Sequence, residues 1–470
     1  MLIKGRPEWE RFMTLFRLIA ASLVLITAAC NGAEPDGPAQ DDAGGFDGAW
    51  RGVLEIGGQS LRLELVLQTG EAGAEGVLIS LDQGGAEIGL TTLSIEGDAI
   101  EFSASPPGLS YAGVREGDVI TGTFRQSVVS ADLTFERGRF EAVEPEEAAV
   151  STDLGADERL VSVDAGGVTL AGTLRIPEGA QAGVVILSGS GSQDRDGTFG
   201  AHRIYAALAD ALAGAGVASL RLDDRGVRES SGPAPEAPAD LASDAAAALS
   251  VVRDRTGLSC AGFAGHSEGG LIALLAAPEA APDFIVSLAG MHMSMEQTLY
   301  DQAAALIRAG GGSQAQIEAN QRLQTAMFEV LRNAAPGADT TEALEAALMD
   351  AGAPAPLAAQ QARIWGQPYA AASFQVDPAA AARAYEGPVL GVFGEFDLQV
   401  LPAPQSEALE TARSDLPTQT VILPGVNHLF QETATGAASE YGSADHPLSL
   451  AALDEIAART AALAMQACGD

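Results

Sequence analysis

The stretch FAGHSEGGLIALLAA, residues 263–277, sets a serine between two glycines where a short apolar strand runs into an apolar helix. A chain that turns from strand to helix so sharply strains the turning residue, and only small neighbours leave it room. Gly265 and Gly269 supply that room, so Ser267 is expected to stand exposed at the carboxyl edge of a sheet. A serine hydroxyl is a weak nucleophile until a histidine takes its proton and an acid orients that histidine. Candidates for both partners follow: Asp397 in GVFGEFDLQV and His428 in LPGVNHLF, each just past a strand-like run, PVLGVF or TQTVIL. Upstream, GVVILSGSGSQDRDG from Gly183 reads as a buried strand entering a glycine-rich loop. The backbone N–H groups of Ser190 in that loop and of Glu268, the residue after the nucleophile, are the expected oxyanion donors.

Four stretches, SGSGSQDRDG, RLDDRGVRESSG, GHSEGG and the GEFD and NHLF pair, make residues from about 158 to 466 resemble an α/β-hydrolase serine esterase. The order Ser267, Asp397, His428 is the order that fold uses. The Gly-Ser-Gly loop continuing into Gln193, Asp194 and Arg195, with a small β domain upstream, is similar to a subgroup of bacterial carboxylesterases. The chain departs from that pattern at Ser188, where many relatives carry histidine, and at Arg228, which replaces the second glycine of an Asp-Arg-Gly-X-Gly-Ser run. The resemblance implies an α/β-hydrolase, mostly parallel sheet with a helical cap insertion, no cofactor, no metal, and a small-molecule ester substrate.

Length and charge narrow the rest. With 470 residues the chain exceeds one ordinary core, and 47% apolar residues suffice for a large one. The formal charge of −37 excludes a nucleic-acid role, since phosphates demand a basic surface, and would be repelled by a bare anionic membrane. Arg11 and Arg17 precede an apolar run from Leu18 to Ala29, which reads as a signal peptide over residues 1–29. Cys30 after Thr27, Ala28 and Ala29 resembles a lipobox cysteine, so an exported lipoprotein of the cell envelope, or a periplasmic protein, is expected, with membrane contact only through the lipid. Cys260 and Cys468 could pair there, or remain separate thiols.

Residues 30–45 read as a flexible tether. From 46 to 140, alternating runs such as SLRLELVLQ, DAIEFSA and ADLTFERG predict a small antiparallel barrel or sandwich with Trp50 near its start. Residues 141–157 read as a linker, and 158–470 as the catalytic domain, opening with a hairpin and continuing as strands alternating with alanine-rich helices. A helical insertion from about 291 to 385 is placed to act as a cap.

The other candidates read differently. His202 is expected to open a helix, His266 to pack within the fold, and His292 to lie at the cap as a loop residue or substrate contact. His446 rivals His428 as base, and Glu395, Asp377 and Asp415 rival Asp397, but only Asp397 holds the post-strand turn. Asp223, Asp224 and Arg225 read as a loop-setting ion network, and MHMSM as packing beside a hydrophobic cleft. The sequence therefore predicts a serine carboxylic ester hydrolase working through an acyl-enzyme. A serine peptidase of the same fold is the alternative, and a noncatalytic lipoprotein binding a partner through its β domain is the alternative of another class.

Overall fold

The computed structural model describes residues 45–56, 59–70, 73–81, 86–104, 109–126, 129–140, 154–335, 337–437 and 440–469. The expected signal peptide, Cys30 and most of the expected linker lie outside them. Two compact units divide the chain, one within residues 26–152 and the other within 153–470.

The first unit is a nine-stranded antiparallel meander: β1 (Gly48–Ile56), β2 (Gln59–Gly70), β3 (Gly73–Ser80), β4 (Ala86–Gly89), β5 (Thr92–Glu96), β6 (Ala99–Ala104), β7 (Leu109–Glu116), β8 (Val119–Gln126) and β9 (Val129–Arg137). Its order is β4-β3-β2-β1-β9-β8-β7-β6-β5. The two end strands are consecutive in the chain, and the residues between them bond to both sides: Leu90 N donates to Gly76 O (3.1 Å) and Thr91 N to Ser103 O (2.7 Å). The sheet thus curls towards a barrel, bringing its two end strands near each other. Alternation puts Ile100, Phe102 and Ala104 inside and Glu101 outside, where Trp50, Tyr111 and Phe135 fill the core. Arg137 lies 4.1 Å over the Trp50 ring and donates to Gly45 O (2.5 Å) and Asp47 O (2.8 Å), which ties the last strand to the start of the first.

The second unit opens with the hairpin β10 (Glu158–Asp164) and β11 (Thr169–Arg175), followed by β12 (Ala182–Leu187), the two-residue strands β13 (Thr198–Phe199) and β14 (His202–Arg203), β15 (Val217–Leu222), β16 (Ala261–His266), β17 (Ile285–Leu288), β18 (Val389–Gly394) and β19 (Thr418–Leu423). The main sheet runs β10-β11-β15-β12-β16-β17-β18-β19. The hairpin is antiparallel to its neighbour, and β15 to β19 are all parallel. Helices cover both faces, as a parallel sheet requires. α1 (Ile204–Gly214) and α11 (Leu450–Cys468) meet Val184 and Ile186 on one face. On the other face α2 (Pro238–Thr256), α3 (Glu268–Ala280) and α10 (Pro402–Ala412) meet Val185 and Leu187. Between β17 and β18 the chain makes six helices: α4 (Met295–Ala309), α5 (Gln314–Asn333), α6 (Thr341–Asp350), α7 (Ala355–Trp365), α8 (Pro368–Phe374) and α9 (Pro378–Ala384). Leu299, Met327, Phe328 and Trp365 give the insertion its own core.

One expectation is corrected here. His202 does not open a helix: it pairs with Phe199 in the β13–β14 hairpin, and its Nε2 lies 2.7 Å from Ser443 O. That distant loop, which also accepts from Ala201 N through Gly442 O (3.0 Å), sets the local structure.

The strand that leads into Ser267, β16, is fixed at both ends. At its carboxyl end a Cβ on Gly269 would stand 2.5 Å from the carbonyl oxygens of Leu187 and Ser188, so α3 crosses β12 at backbone contact. At its start Cys260 is disulfide-bonded to Cys468, the last residue of α11, across 208 residues of chain. Closing a loop of that size stabilises by about 5 kcal/mol on a chain-entropy account, with about 2–5 kcal/mol typical for native bridges. Replacing both cysteines by serine is accordingly expected to lower the thermal midpoint by several degrees. An unchanged midpoint by calorimetry would contradict that. Gly269→Ala is expected to cost more than about 3 kcal/mol, because rigid backbone, not a mobile side chain, meets the added methyl; urea unfolding measures it.

Candidate active site

Ser267 lies at the turn between β16 and α3 with φ 55° and ψ −121°. Non-glycine residues rarely adopt a positive φ, and such strain persists only where the surroundings impose it. Here the Gly265–Gly269 crossing and a bond from Ser267 N to Leu288 O (2.8 Å) impose it. Ser267 is 7% exposed and does not stand open at the sheet edge as the sequence suggested, because the Gly189 loop packs against it: a Cβ on Gly189 would lie 3.1 Å from that of Ser267.

Asp397 and His428 meet beyond β18 and β19. His428 Nδ1 lies 2.7 Å from Asp397 Oδ2, both side chains being buried. The other carboxylate oxygen accepts from Gln399 N and Val400 N (both 2.8 Å), which fixes its plane. With Nδ1 directed at a carboxylate, Nε2 is left as the basic nitrogen. His428 abuts the elbow through His266: His266 Nε2 donates to His428 O (2.9 Å), and the two rings are 4.8 Å apart. Burial, then the neighbouring His428, push the His266 pKa down to about 3, so that it stays neutral. Its Nδ1 faces the Tyr205 hydroxyl at 3.3 Å.

The same hydroxyl organises the loop after β12. Tyr205 donates to Gln193 Oε1 and accepts from Gly189 N, each at 3.0 Å, which occupies the Gly189 amide and leaves Ser190 as the next along the loop. The Glu268 amide belongs to the first turn of α3, where no carbonyl within the helix can satisfy it. Both expected oxyanion donors thus lie on segments packed against the serine.

Charges beneath the loop form the network expected of Asp223, Asp224 and Arg225. Asp223 bonds Arg195 N (2.8 Å) and its guanidinium (2.5 Å), and Arg225 bonds Asp244 (2.5 and 2.8 Å). Asp224 accepts from Ser188 Oγ and Gln193 N, both at 2.7 Å, which gives the unusual Ser188 a structural task. Burial raises the Asp224 pKa to about 7, against those two hydrogen bonds and with help from Asp223 and Asp244. Arg228 holds a positive φ of 46°, the conformation a glycine would favour, and its guanidinium bonds Asp194 at 2.9 Å.

The rivals lie elsewhere. His446 is bonded to Glu432 O (3.1 Å), Glu395 accepts from Gly425 N (3.0 Å), and Asp377 caps α9 through Ala380 N (2.9 Å). Asp415 stands exposed after α10. His292 is buried against Ser287 Oγ (3.1 Å), with its amide bonded to Gln405 (2.6 Å). Met291 packs with Leu271 and Val400 in a small apolar cluster flanking the elbow helix and the Asp397 turn. Cavities of about 420 and 650 Å³ open among cap residues such as Tyr300 and Arg308, and beside Met293, Pro378 and Glu407. Neither lining includes Ser267, Asp397 or His428. The sequence reading missed Tyr369 on α8, whose hydroxyl donates to Glu268 Oε1 at 2.9 Å, and no motif marks it. Among the described residues no group of three His, Cys, Asp or Glu side chains could hold a metal ion.

Residues 196–433 match the family described as serine aminopeptidase, S33. Esterase EstD of Thermotoga maritima is 29% identical over 136 residues, which is 28% of this chain and 33% of that esterase, so the chain spans about a third of the length of this relative. Est1E from Butyrivibrio proteoclasticus with bound ferulic acid is 17% identical with a TM-score of 0.41, covering 65% of this chain and 99% of Est1E. A proline iminopeptidase of Mycobacterium smegmatis is 15% identical with a TM-score of 0.41, covering 66% of this chain and 98% of that one. The chain is an α/β hydrolase and belongs to the serine aminopeptidase S33 family.

Proposed function

We propose that this protein is an exported serine hydrolase that cleaves carboxylic esters. The observation that carries the reading is a serine held at positive φ on a strand-to-helix turn, in the same unit as a buried His428–Asp397 pair 2.7 Å apart. In this scheme His428 Nε2 takes the Ser267 proton as Oγ attacks the ester carbonyl. Asp397 holds the ring and stabilises the imidazolium that forms. The amides of Ser190 and Glu268 receive the oxyanion; one such donor is worth about 2.7–4 kcal/mol of transition-state stabilisation. The imidazolium returns its proton to the leaving alcohol, and water activated by the same histidine releases the acid from the acyl-enzyme.

A second reading, hydrolysis of peptide bonds by the same groups, is favoured by the family's own description. Amide turnover against ester turnover separates the two. Export is supported by the leader-like residues 1–29 and by a disulfide suited to an oxidising compartment. Lipidation at Cys30 would anchor the tether.

Ser267→Ala and His428→Ala are each expected to lower kcat/KM on short p-nitrophenyl esters by roughly four to six orders of magnitude, and Asp397→Asn by about four. Steady-state kinetics on variants with unchanged thermal midpoints check this. Activity retained in Ser267→Ala would overturn the reading, and aryl-amide turnover exceeding ester turnover would shift it to a peptidase.

A further inference from the structure

Glu268 contributes more than its amide. Its side chain is 3% exposed at the first position of α3, and no cation forms a salt bridge with it among the described residues. Its carboxyl accepts from the Tyr369 hydroxyl of the cap helix α8 at 2.9 Å, and the Ser190 hydroxyl of the loop that carries the other oxyanion amide lies beside it. One side chain therefore links three parts of the site: cap, elbow and oxyanion loop. An unpaired buried carboxylate is costly, and a negative charge there would oppose the negative charge that develops on the substrate oxygen.

We propose that Glu268 is a positioning residue that works as the neutral acid, joining Tyr369 to Ser190 so that the oxyanion loop and cap are aligned over Ser267. The proposal rests on the ester-hydrolase reading. As the neutral acid, Glu268 accepts from Tyr369 at Oε1 and has its own proton to give to the Ser190 hydroxyl. Burial raises the Glu268 pKa, opposed by the Ser190 and Tyr369 hydroxyls. Burial, then Glu268 itself and the more distant Asp224 and Asp240, keep the Tyr369 phenol far above its ordinary value, so it remains a donor.

Of the other charged groups on the surrounding elements, Asp224 accepts from Ser188 and Gln193 and is raised by burial to about 7, a titration common to wild type and both variants; the rest are engaged or turned outward. Asp223 is paired with Arg195, and Asp244 on α2 with Arg225. His266 on β16 is neutral, and Arg383 on α9 is exposed. Ionising Glu268 at higher pH removes its proton from the chain and sets a charge beside the oxyanion site.

The sign follows for stability as well. A carboxyl whose folded pKa is raised contributes fully below its unfolded pKa, about 4.3, and that contribution is lost as pH rises through the folded value. The test compares wild type, Glu268→Gln and Tyr369→Phe from about pH 5 to 9, reading kcat and KM for p-nitrophenyl butyrate together with the thermal midpoint. The expected results are an activity ratio of Glu268→Gln to wild type that rises about fivefold or more with pH, and a midpoint of wild type that falls relative to Glu268→Gln over the same range. Tyr369→Phe should lose about tenfold in kcat with KM within about twofold of wild type. A pH-independent activity ratio, a pH-independent midpoint difference, or an unchanged kcat in Tyr369→Phe would each overturn the proposal. If Ser267→Ala is as active as wild type, the ester-hydrolase reading fails separately, and the midpoint difference alone then decides the state of Glu268.

Discussion

The second unit depends on a backbone contact, the point where α3 leaves β16 and crosses the end of β12. Gly269 meets the Leu187 and Ser188 carbonyls there without room for a methyl, and the turn between strand and helix falls on Ser267. Because the crossing is made of main chain, it cannot relax by moving a side chain. The strain at Ser267 is therefore held by the sheet, through that crossing and the bond from Ser267 N to Leu288 O. The same contact sets the loop carrying Gly189 and Ser190 against the serine, so the turn that carries Ser267 also aligns the amides that would receive an oxyanion.

Parallel strands then bring distant residues to one edge. β18 and β19 end side by side, and the turns beyond them carry Asp397 and His428 into contact. Each is fixed from behind, Asp397 by two amides and His428 by the neutral His266 that accepts no charge from the site. At the opposite end of β16 the bridge to α11 holds the strand against the last helix of the unit. Polar groups under the loop, from Arg195 to Asp244, are nearly all paired, which lets a glycine-rich loop keep one shape.

Much of this was legible in the sequence because the physical signals were local. Central strands of the second unit are short apolar runs closed by a glycine or polar turn, and Ala182–Leu187 and Val389–Gly394 fall on such runs. In Pro238–Thr256 proline opens the helix ahead of the buried alanines and leucines that mark it, so the local pattern does not carry its start. In the first unit the alternation of β6 and β7 marks strands, but the curling of the meander depends on Leu90 and Thr91 bonding to strands on either side, which no local pattern carries. His202 was misread because a loop more than two hundred residues away pairs with it. Glu268 was read for its amide alone, and its buried carboxyl became visible only with Tyr369, a hundred residues further on, against it.

The most direct test of the account is whether Ser267 forms a covalent adduct. The protein would be treated with a fluorophosphonate, digested, and the modified peptide identified by mass spectrometry, with His428→Ala treated in parallel. The account predicts one adduct, on the peptide containing Ser267, and its loss or marked slowing in His428→Ala. An adduct on another residue, or labelling of Ser267 that proceeds equally well without His428, would contradict it.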